Sequence, residues 1–178
     1  MCPESTVEPQ VALADVDEDV LEELLAVALV QATADEVTPP LGSTSAWNPE
    51  RIAWFRDYHR AAATGLEGPA REKTWAVVAG GTVVGSVRLK SVGPDAVEPN
   101  AVEPGAVETG IWLATRFRGQ GVGRLALQLV ADEARARGFA VLEASTTPGN
   151  KAAQSLLASL GAELIFEGTL VKARLLLR

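Results

Sequence analysis

The sequence predicts an α/β protein built on one mixed sheet with helices on its faces. Residues 72–78 and 83–92 are rich in β-branched side chains and are joined by Ala79-Gly80-Gly81-Thr82, a glycine-containing connection that makes an antiparallel hairpin. Residues 164–177 leave room for two more strands about Glu167-Gly168. Between these all-β stretches lie segments of helical spacing, in the order strand, two helices, three strands, helix, strand, helix, final strands. A doubly wound sheet would alternate strand and helix throughout, and this chain does not.

Taken in order, residues 1–9 carry Pro3 and Pro9 and no periodicity, and are expected to form a loose leader ahead of a single domain spanning 10–178. Residues 10–14 read as a first strand. Asp15 is expected to cap a helix whose apolar positions Val16, Val20, Leu24, Val27 and Leu29 follow helical spacing. Thr38-Pro39-Pro40-Leu41-Gly42-Ser43 breaks that helix. Asn48-Pro49-Glu50 then supplies a cap, an N1 proline and a first-turn acid for a second helix reaching about Thr64. After the hairpin, Ala-Val-Glu-Pro occurs at 96–99 and 101–104 and begins again at 106–108. Its prolines exclude a central strand over 99–104, so an exposed loop should enter a strand near Ala106. The run Ile111-Trp112-Leu113 reads as buried strand, followed by a glycine-rich turn and a helix from about 121 to 137 that Gly138 stops. Residues 140–145 form a further strand, and Asn150 opens a helix closing at Leu160-Gly161.

Composition narrows the function. With 178 residues, 47% of them hydrophobic, the chain can bury one sizeable core. Its longest apolar run, residues 24–30, is far too short to span a bilayer, and the first residues lack the pattern of a secretory signal. Cys2 is the only cysteine, which excludes an internal disulfide framework and any multi-cysteine metal site and fits a cytoplasmic protein. Neither a metal nor a membrane partner is expected. The formal charge of -7 argues against sequence-independent nucleic-acid binding, which needs a basic surface, and suits a cationic small substrate or simple solubility. A homodimer is left open.

The informative segment runs from Leu113 to Leu125. A strand leads into Arg118, Gly119, Gln120, Gly121, Val122, Gly123 and Arg124, so unsatisfied N–H groups at a helix start can converge on an anion such as a pyrophosphate. A dinucleotide fingerprint would place glycines at first, third and sixth positions, and a triphosphate loop would end in Gly-Lys-Ser or Gly-Lys-Thr; neither fits. Arg118-x-x-Gly121-x-Gly123, together with Asn150-x-x-Ala153-x-x-Leu156 and Leu160-Gly161, resembles the paired motifs of the GNAT N-acetyltransferases, and the likeness extends over nearly all of the chain after the leader.

That resemblance implies a mostly antiparallel sheet with one splayed parallel strand pair. It implies acetyl-CoA as co-substrate, held by the cradle, by backbone near Leu113 and by Asn150, with direct attack of an amine on the thioester. A lysine-like amine, with a pKa near about 10.4, must first lose a proton, so a base is required. Glu108, at the start of the signature strand, is the leading candidate, and Glu143 on the next strand the second. Many relatives carry a tyrosine seven residues after the helix-opening asparagine to protonate the departing thiolate; this chain has Leu157 there.

The family's acceptor cleft is lined by the first two helices, which brings Trp47, Glu50, Trp54, Asp57 and Tyr58 into consideration, with Trp112 from the signature strand. Aromatic faces between carboxylates suit a small cationic amine, most concretely an aminoglycoside-type antibiotic. A protein N-terminal or lysine amine, and a catalytically silent acyl-CoA-binding regulatory domain, are the alternatives. Phe55 is expected in the core and Trp47 outside it.

Overall fold

A computed structural model describes residues 9–91 and 105–178. A seven-stranded sheet runs in the order β1-β2-β3-β4-β5-β7-β6. Its strands are β1 (Val11–Asp15), β2 (Glu72–Ala79), β3 (Thr82–Lys90), β4 (Ala106–Leu113), β5 (Val141–Thr146), β6 (Glu163–Glu167) and β7 (Leu170–Leu176). Every neighbouring pair is antiparallel except β4 and β5. The helices are α1 (Glu18–Gln31), α2 (Ala34–Val37), α3 (Pro49–Ala62), α4 (Val122–Ala136) and α5 (Lys151–Ser159). The mixed, mostly antiparallel sheet flanked by helices is the predicted fold. Residues 1–8 of the expected leader and the proline-bearing part of the Ala-Val-Glu repeat lie outside the described residues, and β4 begins at Ala106 as expected.

One apolar cluster joins α4 to one face of the sheet through Trp75, Val77, Val87, Leu89, Val107 and Leu127. A second, on the opposite face, packs α1 and α3 against Ala76 and Val83 through Leu21, Leu24, Leu25 and Phe55. Truncating Leu24, which is fully buried, to alanine would cost about 2–5 kcal/mol.

The start of α1 differs from expectation. Asp17 is the cap, its Oδ1 accepting from the Val20 amide at 2.9 Å, while Asp15 remains in β1 opposite Trp75 and pairs with Lys73 at 2.7 Å. The buried stripe is Leu21, Leu24, Leu25 and Ala28, shared with the expected set only at Leu24, and Leu29 is exposed. The short helix α2, closed by a Thr33/Glu36 capping box, was not anticipated. The caps of α3 and α5 are as expected, Asn48 accepting from the Arg51 amide at 2.9 Å and Asn150 from the Ala153 amide at 3.1 Å.

The long connection from α2 to α3 is organised by Arg51, which is 1% exposed. Its guanidinium donates to the Leu41 carbonyl (3.0 Å), Asp35 Oδ1 (2.8 Å), Thr38 Oγ1 (3.1 Å) and the Thr44 carbonyl (3.0 Å). A charge so buried is tolerable because its donors find fixed acceptors.

Candidate active site

β4 and β5 pair over only three rungs, Ala106 with Val141, Val107 with Leu142 and Glu108 with Glu143. Beyond them β4 continues to Leu113 and β5 to Thr146 without pairing. The fork holds a cavity of about 160 Å³ whose walls include Gly110, Ile111, Ser145, Asn150 and Leu157.

At the end of β4 the chain makes a 3-10 turn, Thr115–Phe117, and enters α4 through Gly121. Gly119 (φ 72°) and Gly121 (φ 82°) are left-handed. No atom lies within 4 Å of a Cβ built on either, so conformation rather than space requires glycine there. Gly123 differs: its Cβ would stand 3.2 Å from Leu156 Cδ2 and 3.4 Å from Leu113 Cδ1, so it is small to let α5 and β4 approach α4. The Leu125 amide closes onto the Gly121 carbonyl at 3.1 Å, which leaves the amides of Val122, Gly123 and Arg124 ahead of the helical ladder. No side chain caps them and no acid occupies the first turn. Three convergent donors at the positive end of a helix fit a diphosphate.

The side chains around this cradle mostly hold its shape. Arg118 Nε donates to the Leu113 carbonyl and Nη2 to Glu36 Oε1, both at 2.9 Å, and Gln120 Nε2 donates to the Arg116 carbonyl at 2.6 Å. The guanidinium of Arg118 thus ties the loop to α2. Burial works to raise the Glu36 carboxyl, but hydrogen bonds from Thr33 and Arg118 hold it below its ordinary value. Arg116 lies over the Phe117 ring at 4.9 Å, and Arg124 is exposed in the first turn of α4.

A second cavity, of about 420 Å³, opens between α2, α3 and the strands β2, β3 and β4. Trp54 and Tyr58, one turn apart on α3, stack at 4.9 Å and 10° along its wall. The Tyr58 hydroxyl donates to Glu72 Oε1 at 2.5 Å; burial and then this carboxylate push the phenol up, so it stays protonated. Arg88 Nη1 reaches the same oxygen at 3.4 Å, while Nη2 is bonded to Glu108 Oε1. Burial opposes the charge on Arg88, yet the neighbouring Glu108 and Glu72 carry its pKa above the ordinary arginine value. Beneath the stack, His59 is 1% exposed, with Nδ1 3.0 Å from Thr74 Oγ1, and burial pulls its pKa down to about 4. Gly110 and Ile111 border this cavity as well as the fork, so the two spaces meet at β4.

Of the residues expected in the acceptor wall, Trp54, Tyr58 and Trp112 line the cavity, and Trp47, Glu50 and Asp57 do not. Trp47 donates from Nε1 to the Ala32 carbonyl at 3.2 Å and packs edge-on to Phe55 at 6.2 Å, which makes it part of the core boundary, contrary to expectation. Glu50 is exposed in the first turn of α3. Asp57 points outward, 3.6 Å from Arg60, because it sits about 100° around the helix from Tyr58. Phe55 is buried as predicted. Glu108 and Glu143 face one another on the last rung before the fork, and neither borders either cavity; Glu143 is also in register with Arg174, while Glu108 is tied to the acceptor cavity through Arg88, which lines it. Glu72 and Arg88 escaped sequence reading, although Ser86, Arg88 and Lys90 put polar residues at alternate positions of β3 and Glu72 and Thr74 do so at the start of β2.

Among the described residues no three histidine, cysteine or acidic side chains cluster to hold a metal ion, and no helix is long and apolar enough to cross a membrane. Among curated proteins, none matches the sequence. Solved structures do resemble the fold. The GNAT domain of S. lividans PAT is 18% identical, with a TM-score of 0.68, covering 94% of this chain and 90% of its own. RimL, a ribosomal L7/L12 alpha-N-protein acetyltransferase in complex with coenzyme A, is 15% identical, with a TM-score of 0.70 and coverage of 93% of each chain. A ribosomal-protein-alanine N-acetyltransferase from Brucella melitensis is 23% identical, with a TM-score of 0.61, covering 93% and 99%. The model of the acetyltransferase (GNAT) family matches residues 32–162, a span that holds the cradle, the fork and α5, and the chain is therefore an acetyltransferase of the GNAT family.

Proposed function

We propose that this acetyltransferase moves the acetyl group of acetyl-CoA directly onto a primary amine of a small cationic molecule, most concretely an aminoglycoside-type antibiotic. One observation carries the reading: the fork and the acceptor cavity share Gly110 and Ile111, so an acyl group in one and an amine in the other meet across a single strand. The amides of Val122, Gly123 and Arg124 would hold the diphosphate, and Asn150 and Leu157 would border the arm that follows it into the fork. Acetyl-CoA supplies the activated acyl group. The stacked Trp54 and Tyr58 present an aromatic face to a cation, and Glu36 and Glu72 supply carboxylates beside it. Glu108 takes the proton that the ammonium must lose before its nitrogen can attack. With Leu157 apolar, the thiolate leaves toward solvent and is protonated there.

A protein N-terminal amine is the second reading, favoured by the ribosomal-protein acetyltransferases among the similar folds. A panel separates them: CoA release is followed with kanamycin, with spermidine and with a peptide bearing a free N-terminal alanine. Acetylation of kanamycin or spermidine is expected, and peptide turnover alone would replace the first reading by the second. Acetyl-CoA binding without any turnover would leave a silent binding domain.

A further inference from the structure

We infer that Arg88 is a positioning residue for acetyl transfer: its guanidinium, anchored by Glu72 and Tyr58, aims the Glu108 carboxylate at the amine. The inference rests on the reading of Glu108 as the base. Glu108 borders the fork's last rung, and its side chain is 34% exposed. A glutamate there, with three freely rotating bonds, would spread its oxygens over many orientations, and proton transfer needs one of them.

Arg88 removes that freedom by a chain of contacts. Tyr58 O–H is held on Glu72 Oε1 at 2.5 Å, Arg88 Nη1 lies 3.4 Å from the same oxygen, and Nη2 holds Glu108 Oε1. Among the described residues Glu108 Oε2 accepts no such bond; Glu108 lines neither cavity, and Arg88, which lines the acceptor cavity, is the side chain that joins its carboxylate to it. The absence of a side chain at Gly110 belongs to the same arrangement, because a Cβ there would come within 2.9 Å of Arg88 Nε. The guanidinium therefore crosses the residue at which the two cavities meet.

Titratable and charged groups face this cluster from several elements: Glu36 on α2, Tyr58 and His59 on α3, Glu72 on β2, Lys90 on β3, and Glu143 on β5 with Arg174 behind it on β7. Only Arg88 is bonded to both Glu72 and Glu108 among the described residues.

The test compares Arg88→Ala, Arg88→Lys and Glu108→Gln, using the member of the kanamycin, spermidine and alanine-peptide panel that the wild type acetylates fastest. Arg88→Ala should lower kcat ~100-fold, with the KM for acetyl-CoA within about twofold. Arg88→Lys should recover part of that loss and fall only ~10-fold in kcat, since a point charge remains without the planar guanidinium that fixes two carboxylates. A purely structural role would lower thermal stability in both variants, with kcat per folded molecule unchanged in Arg88→Ala and no rescue by lysine, and that result overturns the inference. Should Arg88→Ala fail to fold, Arg88→Lys decides: wild-type kcat there refutes the positioning role. If Glu108→Gln turns over like wild type, the base assignment is what falls. If Glu108→Gln is inactive while Arg88→Ala is unimpaired, the base stands and the role of Arg88 does not. If no panel member is acetylated by the wild type, the reading of direct transfer fails first.

Discussion

The cradle and the acceptor cavity sit on the same strand, yet they are made of different material. The cradle is backbone: three amides presented by a left-handed glycine, with Arg118 and Gln120 serving mainly to brace the loop. The cavity is side chain: an aromatic pair from α3, carboxylates from α2 and β2, and an arginine from β3 that reaches β4. On the reading proposed above, a backbone site would recognise what every reaction of such an enzyme shares, the diphosphate, and tolerate change in all but its glycines. A side-chain site distinguishes one amine from another and can be rewritten one residue at a time.

This contrast can be broken in three ways. The largest effect should come from Gly121→Val, which forces a β-branched residue to adopt φ near 82° or the loop to shift. The affinity for CoA should fall ~100-fold, by calorimetry, as the amides lose their aim. Normal affinity would show that the cradle is not where the diphosphate rests.

Next comes the pH dependence of the acceptor side. The folded pKa of His59, about 4, lies below the ordinary 6.5, so between those values the unfolded chain takes up a proton that the folded chain refuses. Its contribution to stability is whole above about pH 6.5 and is lost as pH falls toward 4, on the order of 3 kcal/mol in all. Urea unfolding at pH 7 and pH 5 should show the loss in the wild type, and His59→Gln should reduce it. An equal slope in both would mean that the ring is not buried as described.

The smallest effect should be that of Trp54→Ala. Removing half of the stacked pair should raise the KM of a cationic acceptor ~10-fold and leave CoA affinity untouched. A change in CoA affinity instead would mean that the two sites are less separate in their materials than the geometry says.

The same division decides what could be read from the sequence. Gly119 and Gly121 are consecutive enough, and close enough to a strand and a helix start, for the cradle to be recognised within a dozen residues. Helix caps are equally local, which is why Asn48 and Asn150 were placed correctly. Asp15 was misread because two acids two residues apart both suit a cap, and only pairing with β2 keeps the first of them in β1. The acceptor side depends on distant partners. Arg88 matters because Glu72 and Glu108, 16 and 20 residues away, converge on it through strand register. Trp47 looked like a wall residue until the Ala32 carbonyl, 15 residues earlier, supplied a partner for its indole. Local spacing carries neither fact.

Arg51 sets terms for any attempt to re-aim the enzyme at a different amine. It grips the connection before α3 at the carbonyls of Leu41 and Thr44 and at Asp35 and Thr38, so two of its four holds are indifferent to side-chain identity. Residues 43–46 are exposed and can be exchanged in kind, whereas Gly42, at φ 82° and with a Cβ position 3.0 Å from Asn48 Nδ2, should stay glycine. Their number is another matter: one residue more or fewer pulls a carbonyl away from a buried guanidinium and leaves a donor without its acceptor. A library built on this loop should therefore vary letters and never length.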